Sequence, residues 1–153
     1  MNAFQYQHIE QYHAALQTGT TTVAAMVETY LDRIEAHASL NAFVEVYAAE
    51  ARQLATELDA RRKAGAPMRR MHGVIIAIKD VICYQDHLLT AGSKMLAGFR
   101  PVFHATAVQA LLEDEAIIIG NCNCDEFAMG SSNENSLYGP VHNAIDPSRV
   151  PGG

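Results

Sequence analysis

The sequence predicts an α/β fold in which N-terminal helices are followed by the start of a mixed or parallel sheet covered by helices. Three observations predict it. Apolar residues recur at helical spacing through the first part of the chain. Two later stretches, Val74-Ile75-Ile76-Ala77-Ile78 and Ala116-Ile117-Ile118-Ile119, are uninterrupted β-rich apolar runs, the pattern of strands buried on both faces. A helical segment lies between these runs, and strand, helix, strand within about 45 residues is a parallel crossover pattern.

Residues 7–17 read as a short helix stopped by Gly19. Thr20-Thr21-Thr22 then offers hydroxyl caps for a helix that buries Val23, Val27, Tyr30, Leu31 and Ile34 and runs to about His37. Residues near 46–63 form a second amphipathic helix with Tyr47, Ala51, Leu54, Ala55 and Leu58 as its stripe. Glu57 with Arg61, and Asp59 with Lys63, have the spacing of exposed ion pairs. Gly65 and Pro67 end that helix. After the first apolar run, a helix is expected near 104–114, with Ala107, Val108, Leu111 and Leu112 inward. Beyond Gly120 the chain turns polar and irregular.

Composition narrows the class. At 153 residues, 49% hydrophobic and 18% charged, the chain suits a globular domain with a real core. No apolar run approaches the roughly 18 residues of a membrane span, and the N-terminus carries no secretory pattern, so the expected compartment is cytoplasmic. A net charge of −6 argues against a direct, extended contact with nucleic acid. Cys83, Cys122 and Cys124 are expected to be free thiols, and Cys122-Asn123-Cys124 lacks the second pair that a structural metal site needs.

Lys79 is the first chemical candidate. It ends the first apolar run, at the C-terminal end of an expected parallel strand, where open α/β sheets bind ligands. Desolvation there disfavours the ammonium and can make a lysine a general base. The competing reading is a strand-end lysine that reaches water and pairs with Asp80 or another acid. Asp125, Glu126, Ser131, Ser132 and Glu134 form a second polar cluster, whose hydroxyls and turn amides suit either a polar substrate or simple turn chemistry. His72, His87, His104 and His142 show no ligand spacing.

Three stretches together carry a resemblance. His72-Gly73-Val74-Ile75-Ile76-Ala77-Ile78-Lys79-Asp80 resembles the segment around the catalytic lysine of the amidase-signature family. Ala91-Gly92-Ser93-Lys94-Met95-Leu96 is similar to the loop that follows it. The stretch from Asp125-Glu126-Phe127-Ala128-Met129-Gly130-Ser131-Ser132 to Arg149-Val150-Pro151-Gly152-Gly153 looks like the approach to that family's Gly/Ser-rich signature. Within the family the pattern is closest to the A subunits of glutamyl-tRNA(Gln) amidotransferases.

The resemblance implies a Ser–cis-Ser–Lys triad that releases ammonia from glutamine, with Lys79 as the lysine. It implies that Met129, Gly130, Ser131 and Ser132 line the acyl pocket. It further implies partner subunits of B and C type, where glutamyl-tRNA(Gln), contacted mainly through the partner, is amidated with ATP and Mg. No cofactor or metal is expected on this chain itself. Both triad serines belong to the signature expected after Gly153, so residues 1–153 are expected to be the N-terminal part of a single amidase domain, helical over 1–66 and α/β over 67–153, and inactive alone. Asn121 and Cys124 depart from the lysine and methionine common at those positions. A stand-alone amidase and a non-catalytic fragment are the alternatives.

Overall fold

The computed structural model describes residues 4–153. Two compact units emerge: Met1–Ala36 with Tyr47–Ile76 and Leu111–Ile119, and His37–Val46 with Ala77–Ala110 and Gly120–Gly153.

The first unit is built on three helices: α1 (Ile9–Thr18), α2 (Val23–Ala36) and α3 (Ala48–Lys63). Helix α1 is capped by the His8 side chain, which accepts from the Gln11 amide at 3.3 Å, and it ends at left-handed Gly19. Thr22 Oγ1 accepts from the Ala25 amide at 3.0 Å at the start of α2, as the threonine run predicts. A second cap comes from α3, where Asp59 accepts from the Val23 and Ala24 amides at 3.2 and 3.0 Å.

That contact corrects the surface ion pairs expected on α3. Asp59 is buried and pairs with Arg62 at 3.4 Å instead of Lys63. Arg61 turns to Glu115 at 2.7 Å, and Glu57 accepts from Gln53 at 2.9 Å. A buried carboxylate is tolerable where unpaired amides and the positive end of a helix dipole meet it, and the first turn of α2 supplies both. Tyr12, Leu16, Val23 and Val27 are fully buried, each large side chain contributing about 1.5–3 kcal/mol. Ala51 and Ala55 are fully buried as well, on the α3 face predicted to turn inward.

Three strands form one sheet in the order β1–β3–β2: β1 (Phe43–Val46), β2 (Ile75–Lys79) and β3 (Ile117–Cys122). Ile117 N donates to Val74 O and Asp80 N donates to Cys122 O, both at 2.9 Å. Those bonds advance together along the two strands, so β2 and β3 run parallel, joined through α4 (Thr106–Glu113). Strand β1, which the helical pattern around it concealed, pairs antiparallel with β3, placing Phe43 opposite Cys122 and Val46 opposite Gly120. The sheet is therefore mixed.

Ile117, Ile118 and Ile119 are buried, as their run predicts. The first run differs: Ile75 and Ile76 are half-buried and Ala77 is exposed, because β2 is an edge strand with no layer over Ala77 among the described residues. Helix α4 is also less covered than expected. Val108 is buried, Leu111 and Leu112 are half-buried, and Ala107 is exposed.

A buried polar knot closes the first unit. Glu115, held at φ +73°, contacts His72 Nδ1 at 2.5 Å, the Arg69 amide at 3.3 Å and Arg61 at 2.7 Å. Burial pushes its carboxyl up, but His72, the Arg69 amide and Arg61 outweigh that and hold it below the usual range. Among the described residues no helix is long and apolar enough to cross a membrane.

Replacing Asp59 by Ala removes the tertiary cap of α2 and strands Arg62, so we expect a loss of about 1–3 kcal/mol. Urea titration would register it as a lower midpoint with an unchanged slope, and an unaltered midpoint would contradict the capping role.

Candidate active site

Strand β2 delivers Lys79 half-buried at its C-terminal end. The residue after it explains why the lysine stays unpaired. Asp80 is 1% exposed, and its carboxylate accepts from Thr90 N at 3.0 Å, Thr90 Oγ1 at 2.5 Å, Gly92 N at 3.2 Å and Asn121 Nδ2 at 2.9 Å. Its carbonyl also accepts from Ala91 N at 2.9 Å. Every lone-pair direction of the carboxylate is thus engaged, by the Thr90–Gly92 loop and by Asn121 of β3. The Lys79–Asp80 pair weighed from sequence does not form, and Lys79 Nζ has no hydrogen-bond or ion-pair partner among the described residues.

The amine faces a cleft of about 380 Å³, lined also by Cys122, Asn133, Val141 and the backbone of Pro151–Gly153. The Lys79 charge reaches Cys124 as well. Burial pushes that thiol up, with Asp80 adding to the rise, and the Lys79 ammonium partly offsets it. Cys122 is half-buried at the cleft wall, and burial pushes its thiol up too.

A second buried carboxylate organises the turn that follows β3. Asp125 is 1% exposed and accepts from Asn133 N at 2.8 Å and Asn135 N at 3.0 Å. Residues 126–135 wrap around it. Gly130 lies directly over the carboxylate, so that a Cβ there would overlap Asp125 Cγ. Gly153 in turn lies against Gly130 and Ser131, leaving no room for a Cβ of its own. The path into this turn is strained: Ala91, Phe127 and Ala128 have φ of 50°, 52° and 55°. Non-glycine residues in that region cost on the order of 1 kcal/mol each and cluster where surrounding structure fixes a functional conformation. Here Phe127 N bonds Ala91 O at 2.8 Å, and Ser93 Oγ donates to Glu126 at 2.6 Å.

The residues singled out from sequence fall on two sides of this arrangement. Lys79 lines the cleft directly. Met129, Gly130 and Ser131 are exposed on the turn beside Gly153, Ser132 is half-buried, and the neighbouring Asn133 lines the cleft. Ser131 and Ser132 do not line the cleft that Lys79 lines. Asp125 belonged to the polar cluster singled out from sequence, but its burial was not expected; Asp80, Asn121 and Asn133 were not among the site candidates, although Asn133 carries a signal, since asparagine tolerates the left-handed backbone it adopts at φ +61°. Among the described residues no group of three or more His, Cys, Asp or Glu side chains is arranged to hold a metal ion.

The Asn135 and Asn133 amides hold the Asp125 carboxyl below the usual carboxylate range. A depressed folded value means the ionised form stabilises the fold above the unfolded value of about 3.9, and that contribution disappears as pH falls through the folded value. We expect slow hydrogen exchange at the Asn133 and Asn135 amides near neutral pH, lost in acid, and faster by about an order of magnitude or more in Asp125→Ala. Equal protection in variant and parent would remove Asp125 from its organising role.

This sequence and fold have counterparts among known proteins. The Amidase family model matches residues 25–153. The chain is 44% identical over 149 residues to the A subunit of glutamyl-tRNA(Gln) amidotransferase from Chlorobium luteolum, covering 97% of this chain and 31% of that relative. Peptide amidase from Stenotrophomonas maltophilia superposes with a TM-score of 0.83 at 29% identity, over 93% of this chain and 31% of that one. The A subunit of glutamyl-tRNA(Gln) amidotransferase from Thermotoga maritima does so with a TM-score of 0.66 at 30% identity, over 86% and 26%. The chain therefore spans about a third of the length of the relatives it matches, and over that span it belongs to the amidase family.

Proposed function

We propose that this chain supplies the lysine half of the catalytic centre of a glutaminase, the A-type component of a glutamyl-tRNA(Gln) amidotransferase. One observation carries the reading. Half-buried Lys79, whose amine has no partner among the described residues, lines the same cleft as Pro151–Gly153, beside the Gly130–Ser131 turn. A chain continuing from Gly153 would enter next to that amine.

In this reading Lys79 takes a proton from a bridging serine, which relieves the nucleophilic serine of its own. The nucleophile attacks the glutamine amide carbon and the proton leaves with ammonia, so an acyl-enzyme remains for water to cleave. Met129, Gly130, Ser131 and Ser132 form the acyl-pocket wall. Both serines lie beyond residue 153, and partner subunits of B and C type accept the ammonia, with ATP and Mg used there. This chain itself holds no cofactor, tRNA is contacted mainly through the partner, and the assembly works in the cytoplasm. The 44% identity to the Chlorobium luteolum protein supports the amidotransferase assignment. A stand-alone amidase is the second reading, favoured by the higher TM-score to the peptide amidase, 0.83 against 0.66.

Two outcomes test this. Residues 1–153 alone should release no ammonia from glutamine above the uncatalysed rate, and steady release would refute the proposal. A hybrid joining residues 1–153 to the remainder of the Chlorobium luteolum protein should hydrolyse glutamine, and Lys79→Ala in that hybrid should lower kcat by about three orders of magnitude or more without lowering its melting temperature. Near-normal turnover in the variant would take Lys79 out of the mechanism. A hybrid that hydrolyses simple amides but gains nothing from B- and C-type partners would favour the stand-alone reading.

A further inference from the structure

Five of the chain's eleven lysines and arginines, Arg61, Arg62, Lys63, Arg69 and Arg70, fall within residues 61–70, a window with no acidic residue. A chain of net charge −6 thus concentrates +5 in ten positions, leaving −11 on the remainder. The cations near the C-terminus of α3 have a ready explanation in the helix dipole. Arg69 and Arg70 lie beyond Pro67 and do not share it.

Within the first unit, Arg62, Arg69, Arg70 and His13 line a cleft of about 560 Å³, and no acidic residue lines it. Its walls are held from behind. The Arg62 guanidinium donates to Leu16 O at 2.7 Å and contacts Asp59 at 3.4 Å. His13 Nε2 meets His72 O at 3.1 Å. The Arg69 amide is tied to Glu115 at 3.3 Å, which anchors the loop while its side chain remains outside that knot. Arg69 and Arg70 are exposed, and neither guanidinium has an ion-pair partner among the described residues.

We propose that this cleft binds phosphate groups. Guanidinium forks match phosphate oxygens two at a time, and three of them around one concavity exceed what a single carboxylate can neutralise. The chemistry is shared by free polyphosphate and by the phosphodiester backbone of RNA. The site does not depend on Lys79.

Titration of residues 1–153 with tripolyphosphate and with a short single-stranded RNA, followed by fluorescence anisotropy or calorimetry, tests the proposal. Three phosphate contacts on a single strand predict a salt slope near −2.1, a weakening of about twentyfold between 50 and 200 mM salt. The double variant Arg69→Ala, Arg70→Ala should bind about tenfold or more weakly, with an unchanged melting temperature. Should that variant melt early, the single change Arg70→Gln serves in its place. Lys79→Ala and Lys94→Ala should bind as the parent does, which separates this site from the proposed catalytic one. Preference for RNA identifies a phosphodiester ligand and preference for tripolyphosphate a free one, and either supports the site. Binding of neither, binding insensitive to the arginine variants, or equally tight binding of polyglutamate overturns it.

Discussion

The four hydrogen bonds that converge on the Asp80 carboxylate are the constraint on which the proposed site depends. An ionised group at 1% exposure is tolerated only when its lone pairs are filled. Here they are filled by the Thr90–Gly92 loop and by Asn121 of β3. The same carboxylate therefore fixes where β2 ends, how the following loop returns, and how β2 and β3 are linked at their C-terminal ends. Lys79, one residue earlier on the alternating strand, is directed away from that knot and toward the cleft. Had Asp80 been exposed, the neighbouring ammonium would have been its natural partner.

Asn121 shows how a local departure fits the same constraint. Its amide donates to Asp80 and to Leu88 O at 2.9 and 3.1 Å, so a neutral side chain satisfies the acid through geometry instead of charge.

Much of the fold was legible in the sequence because its signals are local and periodic. The threonine cap of α2, the glycine stop of α1, the alanine stripe of α3 and the isoleucine run of β3 each follow from spacing and side-chain type. What escaped was decided by tertiary partners. Asp59 has the spacing of a surface ion pair, yet its carboxylate is spent on amides of another helix. Strand β1 is four residues long and is defined by pairing with β3 rather than by its own pattern. Lys79 stood out because an apolar run ending in a cation is a local oddity. Asp125 stood out only as one of a polar cluster, because an acid in a polar stretch is common and its burial depends on the folding of ten later residues. Whole-chain net charge likewise concealed the cations of residues 61–70, since a sum over the sequence cancels what is concentrated in one window.

The position of Gly130 over the Asp125 carboxylate has a consequence for how such a pocket can diversify. With no volume for even a methyl group at that point, evolutionary search over side chains is closed there and remains open at its neighbours. Met129, at 86% exposure, is the most permissive of them. New selectivity along this rim would have to be acquired by flanking positions, while the invariant element would be a patch of bare backbone whose shape is dictated from below by one acid.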